Sequence, residues 1–247
     1  MTTTIYDKEN GLITCDSRWS IPDNRFGVLY VDEAEFSKVE IVNGHVFVFA
    51  GKANVISAWK YFLRAQASGI ALPEPTMTGI AALVAELGTG TLKYYHGQDI
   101  VLPDQSNPMT VIAGTGSSHA ARCWEANKCP KKAVASAMMY DVCTGGEVRY
   151  VELQSGENNL NSCVGFKSLQ QAFLEKGMVM FNGNQIEKGP VPFKEAAEID
   201  PTVADWHQKI ANGSVLENVQ APCDAMFSKP SDDERARMSA VLKDVFG

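Results

Sequence analysis

The chain has no apolar run approaching the ~20 residues that a bilayer-spanning helix needs. Its amino terminus also lacks the basic region and following apolar stretch of a signal peptide. A basic surplus is missing too: 22 Lys and Arg residues face 29 Asp and Glu residues, for a net charge of −7. That balance argues against nonspecific DNA or RNA binding, which depends on neutralising phosphates, and against an anionic membrane surface. There is no C-x-x-C and no H-E-x-x-H. The 6 cysteines, at 15, 123, 129, 143, 163 and 223, and the 4 histidines, at 45, 96, 119 and 207, are scattered. No metal site is therefore expected, and the thiols read as small buried groups of a reduced, cytoplasmic protein. No internal repeat or low-complexity tract is present.

What the chain does have is 247 residues with 45% hydrophobic content, enough for one sizeable core. Strands are predicted at 3–6 and 11–15 around the Asn10-Gly11 turn, at 27–31, and at 37–42 and 45–50 around Asn43-Gly44. Val55, Ala58, Trp59, Phe62 and Ala65 recur at helical spacing and predict a helix over 52–68. IAALVAELG reads as a second, shorter helix. Strands follow within 91–103 and 109–116, then helices over 118–127 and from Pro130 to near Thr144, then the strand EVRYVEL. Beyond residue 153, QSGENNLNSCVG reads as a loop, SLQQAFLEKG as a short helix, and FNGNQIEKGPVPF as turn-rich. Asp200-Pro201 opens a helix ending near Gly213, and Ser231 to Glu234 form a capping box before a last amphipathic helix. Blocks of strands separated by pairs of helices predict an α+β fold with two antiparallel sheets flanked by helices.

The opening, MTTTIYDKENGLITCDSR, carries the chemistry. Thr2 is small enough for a methionine aminopeptidase to remove Met1 and leave a residue with both a hydroxyl and a free α-amine. Such a residue supplies nucleophile and base together. Further along come Asp16-Ser17-Arg18, Lys38-Val39, Phe49-Ala50-Gly51 before a helix, Gly114-Thr115-Gly116, and Asp141-Val142-Cys143-Thr144-Gly145-Gly146. Taken singly these are also ordinary features: Asp16 and Arg18 as a strand-end ion pair, Lys38 as a solvated strand residue, the glycines as turn formers. His119 reads as a helix-start residue, and Cys15 and Cys143 as packing residues beside the site. In this order and at this spacing, about residues 2–152 resemble proteasome-type β-subunits and HslV-like peptidases of the N-terminal nucleophile hydrolases.

The resemblance implies a four-layer αββα sandwich, two antiparallel sheets between helix layers, and a threonine peptidase without a cofactor. Thr2 would be the nucleophile, Lys38 the cation that eases its deprotonation, and Asp16 the carboxylate that orients Lys38. Thr115, where the family has Ser, would support them together with Asp141 and Thr144, and the N–H of Gly51 would be the oxyanion donor. Trp19, Phe49 and Ala53 would line the substrate pocket. A non-proteolytic amidase of the same fold and a catalytically inactive scaffold are the alternatives. Residues 1–153 would form the matched core, 154–195 its continuation, and 196–247 a C-terminal extension with two helices. The implied partners are a peptide or unfolded protein as substrate, further copies of the chain in a homo-oligomeric ring, and an unfoldase or activator. Trp59, Tyr61, Phe62 and Trp124 exceed what one helix face needs and are expected at subunit contacts, with the tail after residue 195 reaching a neighbour or the outer surface.

Overall fold

The computed structural model describes residues 2–104, 107–161, 165–182, 189–213 and 216–247. Their strands are β1 Thr4–Asp7, β2 Leu12–Asp16, β3 Trp19–Asp23, β4 Gly27–Val31, β5 Val39–Val42, β6 His45–Lys52 and β7 Ile80–Glu86. After these come β8 Leu92–His96, β9 Ile100–Asp104, β10 Asn107–Ala113, β11 Val148–Glu152, β12 Met178–Phe181, β13 Val191–Pro192 and β14 Gln220–Ala221. The helices are α1 Ala53–Ala67, α2 Ser117–Asn127, α3 Pro130–Tyr140, α4 Lys167–Lys176, α5 Phe193–Ile199, α6 Pro201–Ala211 and α7 Asp232–Phe246. The strands make two antiparallel sheets. One has five strands in the order β11-β2-β1-β10-β9; the other has nine, in the order β13-β12-β4-β3-β14-β6-β7-β8, with β5 added to β6.

Two-residue alternation decides what each face meets. Along β1, Tyr6 turns to one buried cluster and Ile5 to another; along β10, Val111 and Ile112 divide in the same way. Tyr6, Ile13, Val111 and Val151 of the smaller sheet share a cluster with Val46, Val48, Leu83 and Ala85 of the larger, so the sheets pack face to face. Ile5 and Ile112 meet Ala120, Trp124, Ala133 and Ala137 of α2 and α3. On the far side of the larger sheet, Phe47, Phe49, Ala82 and Val84 meet Trp59 and Leu63 of α1, with Phe173, Trp206 and Met238 in the same cluster.

One predicted helix is a strand. IAALVAELG forms β7, paired along its length with β6 and also with β8. Its Ala, Leu and Glu residues favour helix, but both faces of β7 are buried, so no polar residue marks an alternation. Tertiary pairing overrides the local preference. Five other elements were not anticipated: β3, whose Pro22 speaks against a strand, β12, β13, β14 and α5. Parts of the predicted loop QSGENNLNSCVG (162–164, with Cys163) and of the turn-rich FNGNQIEKGPVPF (183–188) lie outside the described residues.

The expected starts of the last two long helices are where the capping chemistry places them. Asp200 accepts from the N–H groups of Thr202 and Val203, at 2.7 and 3.1 Å, and Ser231 and Glu234 make a reciprocal capping box. Three of the four aromatics assigned above to subunit contacts are buried in the chain's own core: Trp59, Phe62 and Trp124. Only Tyr61 among them is exposed, at 69%. The segment after residue 195 also packs inward, through Val203, Ile210, Val219, Ala221, Met238, Leu242 and Val245. No helix among the described residues is long and apolar enough to cross a membrane.

Candidate active site

The β1–β2 hairpin brings the chain's start back against its own second strand. Thr4 faces Cys15 in the register, and one step outward the Asp16 N–H donates to the Thr3 carbonyl at 3.1 Å. This places Thr2 beside the Asp16 side chain, and the Thr2 hydroxyl donates to Asp16 Oδ1 in a short hydrogen bond. Lys38, at the residue before β5, donates from Nζ to Thr2 Oγ1 at 2.5 Å and to Asp16 Oδ1 at 2.8 Å. Thr2, Asp16 and Lys38 thus form a closed triangle. All three are buried, at 0%, 0% and 2% exposure.

A buried ion pair is tolerated only when its polar atoms are satisfied. Asp16 meets that condition with further donors: the N–H of Thr3 at 2.9 Å, and those of Arg18 and Gly145, each at 3.2 Å. A carboxylate held by this many donors is fixed in position and can in turn fix Lys38. Chemically the triangle is a hydroxyl with an acceptor for its proton and a cation against its oxygen. Negative charge growing on that oxygen would be stabilised in a site shielded from water.

Thr115, Asp141 and Thr144 also come together, but they reach Thr3 rather than Thr2. Thr115 donates to Asp141 Oδ2 at 3.2 Å, Thr144 donates to the same oxygen at 2.6 Å, and Thr144 Oγ1 lies 3.0 Å from Thr3 Oγ1. They act on the triangle through the backbone of the threonine run. Gly114, with φ +102, passes so close that a Cβ there would collide with the Thr2 carbonyl oxygen. Only a residue without a side chain lets the β10–α2 turn approach that closely.

Gly51 lies near the end of β6 with φ +119, and a Cβ on it would strike the backbone of Gly79 and Ile80. Trp19, Phe49 and Ala53 are core residues on the α1 side of the larger sheet, each at most 1% exposed. Trp19 Nε1 donates to the Phe36 carbonyl at 2.8 Å. None of the three borders the cavity beside the triangle, a space of about 10 Å³ touching Asp16, Ser17, Phe36, Ser37 and Lys38. That space is at the lower limit for one water.

Two groups that position the triangle were not singled out in the sequence. Lys60 of α1 is buried and donates to the carbonyls of Ser37 and Val39, at 2.7 and 3.2 Å, bracketing Lys38. It also pairs with Glu40 at 3.3 Å. The sign was available: Lys60 stands four residues after Ile56 and three before Leu63, inside the apolar face of α1. Arg18 does not pair with the Asp16 side chain, as the ion-pair reading would have it. Its guanidinium makes a two-pronged bridge to Asp32, at 2.6 and 2.8 Å, and donates to the Val142 carbonyl. It thereby ties the Asp16 turn to the loop of Asp141 and Thr144.

Cys15 and His119 have structural places beside the site. Burial pushes the Cys15 thiol up to about 12, so it stays protonated and unreactive. His119 lies in the first turn of α2 and stacks on Tyr140 with ring centres 5.0 Å apart. Among the described residues no cluster of His, Cys, Asp and Glu could hold a metal ion.

No protein-family profile and no curated protein matches the chain. Among solved structures it is similar in outline to Thiobacillus denitrificans BPH in complex with epoxomicin. The match is 15% identical in sequence, covers 62% of this chain and 99% of that one, and has a TM-score of 0.44. A likeness that distant transfers no chemistry.

Proposed function

We propose that the chain is an N-terminal threonine hydrolase resembling proteasome β-type and HslV-like peptidases, with a four-layer αββα core, that cleaves peptide bonds once Met1 is removed. The observation that supports this best is the buried triangle of Thr2, Lys38 and Asp16. In the proposed reaction the Thr2 hydroxyl oxygen attacks the scissile carbonyl while its proton passes to the freed Thr2 α-amine. The Lys38 cation stabilises the oxygen as it loses its proton, and Asp16 keeps Lys38 in place. The tetrahedral oxyanion would be met by the Gly51 N–H. Collapse breaks the C–N bond, and the departing amine takes the proton held by the Thr2 amine. Water then hydrolyses the ester on Thr2 by the same route in reverse.

The division into a core over 1–153, its continuation over 154–195, and an added segment over 196–247 is part of this proposal. So are a homo-oligomeric ring and an unfoldase or activator partner. A second reading, an idle scaffold on the same fold, is favoured by one observation: Thr2 is wholly enclosed. Intact-mass spectrometry of protein from its natural host separates the two. Loss of one Met is the outcome for the hydrolase. A homogeneous mass retaining Met1 contradicts it, because the proposed base would then be locked in a peptide bond.

A further inference from the structure

The triangle has aromatic neighbours that the proposed chemistry does not use. Phe36 borders the cavity of about 10 Å³ that also touches Asp16 and Lys38. The Trp19 ring packs against Phe36 with ring centres 5.3 Å apart, and Lys38 Nζ lies 5.7 Å from the centre of the Trp19 ring. Nζ in turn donates to the Thr2 hydroxyl. The Trp19 ring therefore stands within one large side chain's length of the attacking oxygen. We infer that Phe36 and Trp19 set the substrate class: the site takes acyl groups no larger than glycyl or alanyl. A branched or aromatic side chain on the carbon next to the scissile carbonyl is excluded. The inference rests on the threonine reaction proposed above, and it makes Trp19 the closure of the acyl pocket rather than its lining.

Three observations carry the inference. The first is volume. The acyl carbon must bond to Thr2 Oγ1, so its side chain has to lie close to that atom. A cavity at the lower limit for one water has room for a hydrogen or a methyl group. A benzyl or isobutyl group needs several times that space. The second is closure on the other flank. Gly114 runs so close to the Thr2 carbonyl that even a Cβ there would collide with it, so no large group is accommodated against the β10–α2 turn. The third is rigidity. Trp19 Nε1 donates to the Phe36 carbonyl at 2.8 Å, which ties the two residues together by backbone as well as by ring. Phe36 also meets Phe166 edge-on, with ring centres 5.5 Å apart, and Lys60 Nζ lies 5.0 Å from its ring. Lys38 over Trp19 and Lys60 over Phe36 add cation–π attraction to the packing. Both rings belong to the main core. A ring in a close-packed interior does not swing aside without opening a void, and turning Trp19 out would strand its N–H.

The test uses the full chain after loss of Met1 and two electrophiles that bond both the hydroxyl and the α-amine of an N-terminal threonine. They differ only in the side chain beside the reactive carbonyl, methyl in one and benzyl in the other. Adducts on Thr2 are followed in time by peptide mass spectrometry. The unmodified chain should take the methyl reagent at least about tenfold faster, since rejecting a single surplus methylene is worth on the order of tenfold or more. Phe36→Ala removes the wall beside the cavity and should narrow that preference about tenfold. Trp19→Ala, which lets Phe36 move back, should narrow it in the same direction. Equal rates on the unmodified chain, or a faster benzyl reagent, overturn the inference, and this comparison needs no variant to fold. A folded Phe36→Ala chain with its preference unchanged overturns it as well. Failure of both reagents to label Thr2 in a folded chain without Met1 strikes the threonine reaction itself, and this inference with it. Labelling at equal rates strikes the aromatic wall alone.

Discussion

At the scale of single residues, the triangle makes distinct demands on its members. Thr2→Ala removes the proposed nucleophile and should lower peptide hydrolysis by a thousandfold or more, the order seen when such a group is lost. Thr2→Ser keeps the hydroxyl and should retain part of the rate. Lys38→Ala should be as inactive, and it will not be structurally silent. It strands Asp16 as an unpaired buried charge, a change that destabilises by about 3–5 kcal/mol. Chemical denaturation should show that loss for Lys38→Ala; stability within about 1 kcal/mol of the unmodified chain would place Lys38 on the surface. A separate titration concerns Asp99, whose side chain accepts from the Gly114 N–H and meets Asp224 of the tail, with Cys223 close by. Burial first, and then the Asp224 charge, push its carboxyl up to about 6. A carboxyl raised on folding holds its proton in the native state, so stability is fullest below the unfolded value near 4 and falls as pH rises to about 6. Glu234 is held down at about 2, mainly by the Ser231 N–H and then by His96; its contribution is lost only in more acid solution. Melting curves should therefore show stability declining between pH 4.5 and 6, and Asp99→Asn should flatten the decline. An unchanged slope in Asp99→Asn would remove Asp99 as its cause.

At the scale of elements, helix α1 fixes the loop that presents Lys38. Lys60→Met keeps most of the stem that packs in the core but removes the donors to the Ser37 and Val39 carbonyls. Displacing a catalytic group by about an ångström can cost on the order of a hundredfold in rate. The variant should show that loss in kcat, with KM little changed. A change in KM alone would mean that Lys60 serves substrate binding or the fold rather than the position of Lys38. Lys60 also shows where the sequence was hard to read. A lysine on an apolar stripe is visible in the pattern, but its two carbonyl partners, at Ser37 and at the start of β5, lie more than twenty positions away. The legible elements were those with local chemistry: the Asn10-Gly11 and Asn43-Gly44 turns, the Asp200 cap, the Ser231 box and the stripe on α1. β7 was misread because its companions cover both faces, and β14 left no trace because two residues have no period. The site was legible in one respect only. A Thr behind Met, an Asp, a Lys and a set of glycines could be named in order, whereas their convergence depends on the β1–β2 hairpin and on the β10–α2 turn crossing Thr2.

At the scale of the molecule, the proposed nucleophile Thr2 is shielded by its own chain. Ring formation is then a separate question from protection. Three of the aromatics that pointed to subunit contacts are core residues, while Tyr61, Met139 and Tyr140 remain exposed, at 69, 79 and 68%. Light scattering at micromolar concentration should give a mass of several chains, and Met139→Ser with Tyr140→Ser should lower it if α3 forms the contact. A monomer with full activity would remove the ring from the account. The most direct measurement is covalent. An electrophile that bonds both the hydroxyl and the α-amine of an N-terminal threonine is incubated with the unmodified chain and with Thr2→Ala, and the adduct is mapped by peptide mass spectrometry. The account predicts a single adduct, on Thr2, and none on Thr2→Ala. A folded chain that has lost Met1, as shown by its intact mass, yet carries no adduct on Thr2 would contradict it.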